Sequence, residues 1–191
     1  LRAANLLLDE ASVTATENVL MAAVLAPGTT TVFNAACEPH VQDLCALLNK
    51  MGGRIEGLGT NLLKVEGVER LHGATHTVGP DYIEMGSFIA ASAATGGELR
   101  IEDVPGSGTL EVIERSFEKL GVSLGGENDQ VVLSSRQKLR VQRDIGQAIP
   151  KIEDGPWPAF PSDLMRVAIV LASQAKGGIL LTDARVEELK K

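Results

Sequence analysis

The sequence is poor in aromatic residues, 3% of 191 with one Trp and one Tyr, so aliphatic side chains must pack whatever core it forms. It has no block of Lys or Arg and a formal charge of −7, which argues against a phosphate-backbone footprint and against attraction to an anionic membrane. Neither nucleic acid nor a membrane is expected as a partner. Long apolar runs are missing too: Val19 to Ala26 and Val167 to Ala172 fall far short of the roughly 20 residues that span a bilayer. Cysteine is scarce, and Cys45 lies on the apolar face of an expected helix, so Cys37 and Cys45 read as reduced, buried thiols of a cytoplasmic protein rather than a disulfide or metal site. The opening LRAANLLLDEAS has no initiator Met and no cationic-then-apolar leader, as in a chain that starts mid-protein. There is no GxxxxGK[ST] loop, and Gly106-Ser107-Gly108 lacks the spacing of a dinucleotide fingerprint. His40, His72 and His76 are scattered without metal-ligand spacing and read as surface residues, so neither metal nor cofactor is expected.

What is present is a repeat. Shifting the sequence by 69 residues aligns Gly28 with Gly97, Val32 with Ile101, Lys50 with Lys119, Gly52 with Gly121 and Gly57 with Gly126, with no gap required. One supersecondary unit is therefore used more than once. In its first copy, Thr14 and Glu17 form a capping box opening an Ala-rich helix to Ala26, and Thr29 to Phe33 is a β-branched strand. Glu38-Pro39 starts a second helix whose Val41, Leu44, Cys45, Leu48 and Met51 make one apolar stripe up to Gly52. Arg54 to Leu58 and Leu62 to Val68 read as a hairpin, with a further strand expected before the first helix.

The second copy begins at Asp81, with a helix over Ser87 to Thr95, a strand over Glu98 to Asp103, a helix over Leu110 to Leu120 and a hairpin ending near Ser134. A third starts at Pro161-Ser162-Asp163, taken as equivalent to Pro80-Asp81-Tyr82, and runs through a helix to Lys176 and a strand over Ile179 to Asp183. Ser135 to Phe160, with the prolines and Trp of GPWPAFP, reads as an insertion between copies: a strap along a domain edge or a ligand loop. Each first helix opens on a polar turn, SVTATEN, GPDYIEMGS and FPSD. Helix N-termini present unpaired N–H groups and a positive dipole end, so converging turns of this kind favour anions, though they can equally be simple caps.

SVTATENVLMAAVLA, NAACEPHVQDL, the GxGTNxLxVEGVERLHG stretch from Gly57, GPDYIEMGSF and PWPAFPSDLM closely resemble, in order and over nearly all of residues 10 to 182, the enolpyruvyl transferases that act on UDP-N-acetylglucosamine. The shikimate-pathway relatives share the repeated unit but match these motifs less well, since SVTATEN lacks their Ser-Ser-Gln type turn. The resemblance implies an α/β (α+β) fold of repeated βαβαββ units, of the inside-out barrel type, with about two and a half units present. Residues 1–78 would be the last unit of a catalytic domain and 79–191 part of a second domain, one unit plus a truncated one, with a hinge near Thr77 to Pro80. The implied chemistry moves enolpyruvate from phosphoenolpyruvate to the sugar 3-hydroxyl in peptidoglycan precursor synthesis, without a cofactor. The partners implied are these two substrates and the remaining segments of the same enzyme.

Carried over by position, Asp163 would be the base facing the sugar hydroxyl, with Asp81 and Glu38 as acidic residues beside the active site and hinge. Ser12, Val13 and Thr14 would line the uridine nucleotide pocket, and Ser162 would contact substrate. Three positions depart from the family pattern: Thr14 where Gly is common, Cys37 where many members have Arg, and Glu10 where some have Lys. The family's cationic residues and Cys-bearing loop would lie before residue 1, so neither cysteine here is expected to be the loop nucleophile, and this stretch alone is expected to be inactive. The alternative is a noncatalytic α/β module that binds a nucleotide sugar or a partner.

Overall fold

The computed structural model describes residues 1–104, 108–126 and 129–182, and the chain divides into two compact units between Gly79 and Pro80. In the first unit, strand β1 (Asn5–Leu7) leads into helix α1 (Val13–Ala23), strand β2 (Thr29–Phe33), helix α2 (Pro39–Lys50) and a hairpin of β3 (Arg54–Glu56) and β4 (Leu62–Glu66). The sheet order is β1-β2-β4-β3, with β1 parallel to β2 and the other pairs antiparallel. Alternation along β2 and β4 buries Thr30, Val32, Leu63 and Val65 on one face, where they meet Leu20 and Val24 of the first helical segment and Val41, Cys45 and Leu48 of α2. Pro39 sits at the start of α2, where its missing N–H leaves no partner unsatisfied.

The cap of α1 differs from the sequence reading. Ser12, not Thr14, is the N-cap: its backbone is extended and its Oγ accepts from the Ala15 N–H at 3.3 Å. Thr14 and Glu17 therefore lie inside the helix and form no capping box. Thr16 sets this register, because its buried Oγ1 donates to the Ser12 carbonyl at 2.7 Å and accepts from the Ala36 N–H at 2.9 Å, fixing the first turn against the loop that enters α2.

The second unit holds helix α3 (Tyr82–Thr95), strand β5 (Leu99–Ile101), helix α4 (Thr109–Glu118), strand β6 (Val131–Leu133), strand β7 (Lys151–Glu153), helix α5 (Ser162–Gln174) and strand β8 (Leu180–Thr182). Its core is built by α3, α4 and α5 around Ile89, Ile113, Phe117 and Leu164. Gly86 lets α3 and α5 approach closely, since a Cβ there would sit 2.8 Å from Leu164 Cδ1. α3 starts five residues before the expected Ser87, because Asp81 caps it and Tyr82 and Met85 are already buried. Asp183, the expected end of the last strand, lies outside the described residues.

The repeat holds with one correction. Asn34 and Asp103, 69 residues apart, both take left-handed backbone just after their strands, and the next residue's N–H bonds a carbonyl just before the partner strand in both copies: Ala35 to Asn61 before β4, Val104 to Asp129 before β6. Asn61 and Asp129 are only 68 residues apart. A one-residue gap therefore falls between Gly125, which bridges Val132 as Glu56 pairs Lys64, and Asp129. Side chains alternate faces along a strand, so the ungapped register would turn Val131 and Leu133 out of the core. The shorter turn keeps them in.

The stretch Ser135 to Phe160 is not only an insertion. It contains β7, which pairs parallel with β8 across α5 as β1 pairs with β2 across α1. β7 is thus the first strand of the third unit. No strand is found in residues 67–81, where an equivalent one for the second unit would stand.

Candidate active site

In the first unit, the parallel strands β1 and β2 end side by side, with the Leu8 N–H bonded to the Phe33 carbonyl and Asn34 Nδ2 donating to the Leu8 carbonyl at 3.0 Å. The loops that leave these carboxyl ends run directly into α1 and α2. This is the crevice where α/β folds commonly place ligands. Here Ser12 caps α1 with Val13 and Thr14 in its first turn, Cys37 and Glu38 lie on the loop into α2, and the Thr16 bonds tie that turn to this loop. Glu38 is the N-cap residue of α2 but makes no capping bond, and its Oε2 is buried without a partner. A buried, unpaired carboxylate oxygen is a costly arrangement that a donor hydroxyl or N–H would relieve.

In the second unit, β7 ends at Glu153 and the chain passes through Asp154 to Pro161 before entering α5. This path includes a cis peptide between Trp157 and Pro158, and the Asp154 N–H bonds the Thr182 carbonyl at its start. Trp157 packs on Tyr82, ring centroids 5.4 Å apart, which sets the start of α3 beside the turn that opens α5. Asp81 and Asp163 are thereby brought to neighbouring helix starts, but they are used differently. Asp81 Oδ1 accepts from the Ile83 and Glu84 N–H groups at 2.9 and 3.1 Å, a cap. Asp163 is an exposed first-turn residue of α5, whose N-cap is Pro161 and which has no side-chain cap. Ser162, the first residue of that helix, is half-buried. The residues predicted from sequence thus divide between the units, all at helix starts: Ser12–Thr14 and Glu38 in the first, Asp81, Ser162 and Asp163 in the second.

A groove of about 650 Å³ between α4 and β7 holds none of them. Its lysines are engaged locally, Lys119 Nζ on the Lys151 carbonyl and Lys151 Nζ on Glu153 Oε1, both at 2.7 Å. Among the described residues no group of three or more His, Cys, Asp or Glu could hold a metal ion, and no helix is long and apolar enough to cross a membrane.

The family model for EPSP synthase (3-phosphoshikimate 1-carboxyvinyltransferase) matches residues 1–190. The chain belongs to that family. Its similarity to curated proteins is to UDP-N-acetylglucosamine 1-carboxyvinyltransferases: 53% identity over 94% of this chain to that of Treponema pallidum (strain Nichols), and 48% over 96% to that of Borrelia garinii subsp. bavariensis. The chain spans 42% and 43% of the length of these relatives. The enolpyruvyl transferase NikO from Streptomyces tendae has a similar fold, with TM-score 0.75 at 20% identity over 96% of this chain and 45% of its own. EPSP synthase from Acinetobacter baumannii gives 0.62, at 20% identity over 95% and 40%.

Within this EPSP synthase family chain, the three departures from the motif pattern can be placed. Thr14 is an exposed residue of the first turn of α1, its carbonyl accepting from Asn18 Nδ2, so the helix accommodates a side chain there. Glu10 is exposed on the loop before α1. Cys37 is half-buried, and its thiol is pushed up from the ordinary value, first by burial and then by the Glu38 charge. Burial pushes the Cys45 thiol up to about 11. Both shifts favour the protonated thiol over the nucleophilic thiolate. The sequence reading overlooked Thr16, the hub joining the first turn of α1 to the loop into α2, and Asp154, a buried acid at the end of β7. Thr16 could have been noticed only as a polar residue at a core-facing helical position, four before Leu20. Asp154 had one local mark, an acid directly before Gly-Pro.

Proposed function

We propose that the chain is part of an enzyme that transfers the enolpyruvyl group of phosphoenolpyruvate to the 3-hydroxyl of UDP-N-acetylglucosamine, an early step toward peptidoglycan in the cytoplasm. The observation that carries this reading is the identity of about half with UDP-N-acetylglucosamine 1-carboxyvinyltransferases over almost all of the chain. The substrates, the domain assignment and the residue roles belong to this proposal. Residues 1–78 supply the last unit of the catalytic domain and 79–191 part of the second, and the remaining segments of the enzyme complete the site.

The geometry supports a division of labour. Ser12, Val13 and Thr14 open α1, where free N–H groups and the helix dipole suit the nucleotide part of the donor-rich, anionic sugar substrate. Glu38, at the start of α2, has a buried Oε2 without a hydrogen-bond partner, and this oxygen accepts from a substrate hydroxyl. Asp163 has an exposed carboxylate free of capping duty, as a base needs, and it takes the proton of the sugar hydroxyl as the new C–O bond forms. Ser162 precedes it and orients the sugar, while Asp81, committed to its cap, holds the start of α3. None of these seven groups is a cation, so neutralisation of phosphoenolpyruvate falls to other segments.

The test is a chimera in which residues 10–182 replace the matching stretch of the Treponema pallidum relative. The chimera is expected to release phosphate from phosphoenolpyruvate only when UDP-N-acetylglucosamine is present, while the 191-residue chain alone releases none. A folded chimera that binds neither substrate would overturn the reading. Enzymatic turnover by the isolated chain would overturn the assignment of the cationic groups to other segments.

A further inference from the structure

The stretch from His72 to Pro80 is exposed at every residue except His76. Sequence spacing made His76 a surface residue; instead its side chain is 8% exposed, pressed between two residues of α2. Its Nε2 lies 3.0 Å from Asp43 Oδ1, and its Nδ1 lies 3.1 Å from Lys50 Nζ. An ammonium can only donate, so Nδ1 accepts from Lys50 and the ring proton on Nε2 goes to Asp43. Asp43 also receives the Gly79 N–H on its other oxygen, at 3.5 Å. After His72, whose N–H bonds to the Met51 carbonyl, no backbone–backbone hydrogen bond ties residues 73–78 down among the described residues. Side-chain contacts to Asp43 and Lys50 are what hold this stretch, up to the Gly79–Pro80 division between the units.

The repeat supplies an independent observation. Lys119, 69 residues after Lys50, occupies the same place just after α4, and its Nζ donates to the Lys151 carbonyl of β7, the strand that opens the third unit. In both copies the lysine at the end of the second helix bonds a segment beyond its own unit's last strand, Lys119 the opening strand of the next unit and Lys50 the connector. In the second copy the segment offers a carbonyl. In the first it offers an imidazole.

We propose that His76 is a positioning residue that pins the connector to α2, so that the chain leaves the first unit from a fixed point at Gly79 rather than from a loose tether beginning at His72. Asp43 is the principal partner and Lys50 the second. The inference stands apart from the enzymatic reading, because it concerns only residues 43–79 of this chain.

Backbone ¹⁵N relaxation of the 191-residue protein tests it. In the parent, residues 74–79 should have order parameters near that of rigid backbone, about 0.85. His76→Leu should drop them below about 0.6 while α2 keeps its values. His76→Gln, which still carries a donor at the reach of Nε2, should restore most of the order. If His76→Leu disturbs α2 itself, Asp43→Ala decides the matter: it removes the acceptor with a good helix former and should loosen the same residues. Order parameters already below about 0.6 in the parent, equal loosening by Leu and Gln, or an unchanged connector in both His76→Leu and Asp43→Ala would each overturn the pin.

Discussion

Asp163 and Cys45 show how residue type and surroundings jointly set what one side chain does. Asp163 sits in the first turn of α5 with its carboxylate exposed and not spent on the cap. A mere structural role would make Asp163→Asn nearly silent, since loss of a first-turn charge costs well under about 1 kcal/mol. As the base, the same change in the chimera should lower turnover by roughly two to four orders of magnitude, with thermal midpoint and nucleotide-sugar affinity little altered. Turnover within a few-fold of the parent would remove Asp163 from the chemistry. Cys45 gives a prediction about alkali. Its thiol is 1% exposed and raised from 9.0 to about 11 by burial, so the folded state holds a proton that the unfolded chain releases earlier. The stabilisation is complete below about pH 9 and is lost as pH rises toward about 11. Cys45→Ala should flatten the fall in stability across that window, by at most about 3 kcal/mol, as read from urea titrations at several pH values.

At the level of elements, equivalent glycines end the second helix of both copies: Gly52 and Gly121 take φ of +94° and +88°. Gly121 is the tighter site, because a Cβ there would run into the backbone of Lys138 and Arg140, which cannot swing away as a side chain can. Gly121→Ala should therefore cost about 3 kcal/mol, combining left-handed strain with the clash. Gly96→Ala is the control: Gly96 has φ +69° and nothing within 4 Å of an added Cβ, so only the strain of about 1 kcal/mol is expected. Equal midpoints for the two variants in denaturant unfolding would show that the turn at Gly121 relaxes. The same repeated design explains why the second hairpin tolerates one residue fewer in its turn. The strand beyond must keep Val131 and Leu133 inward, and a turn can lose a residue where a strand cannot.

Across the whole molecule, two separate cores do the packing. Leu20, Val32, Leu63 and Val65 belong to the first, and Ile89, Ile113, Phe117 and Leu164 to the second. Leu20→Ala should cost about 2 to 5 kcal/mol in the first unit. Amide exchange should then rise in β2 and β4 while the amides of β5 and β6 keep their protection. A matching rise in both units would mean that they unfold as one.

Much of this was readable in the chain itself. Period-two runs such as Thr29 to Phe33 and the three-and-four spacing of Val41, Cys45 and Leu48 gave their elements directly, because burial on one face imposes the pattern locally. The recurrence of Gly, Lys and apolar positions gave the repeat, and the motifs at helix starts gave the family and the candidate residues. Less legible were features in which one segment chooses among locally equivalent options for another. Ser12 and Thr14 are both good caps, and only the bond from Ala36 to Thr16 selects Ser12. Lys151 to Glu153 carry no distinctive strand signal, and they become a strand because β8 lies parallel beside them. His76 has no motif around it, and its burial arises from Asp43 and Lys50, 33 and 26 residues earlier in the chain. Local sequence thus determined which elements form and which residues open them, since those depend on short-range sterics and periodic burial. Tertiary structure decided caps, register and the fate of lone polar groups, since these depend on hydrogen-bond partners that come together only when distant segments meet.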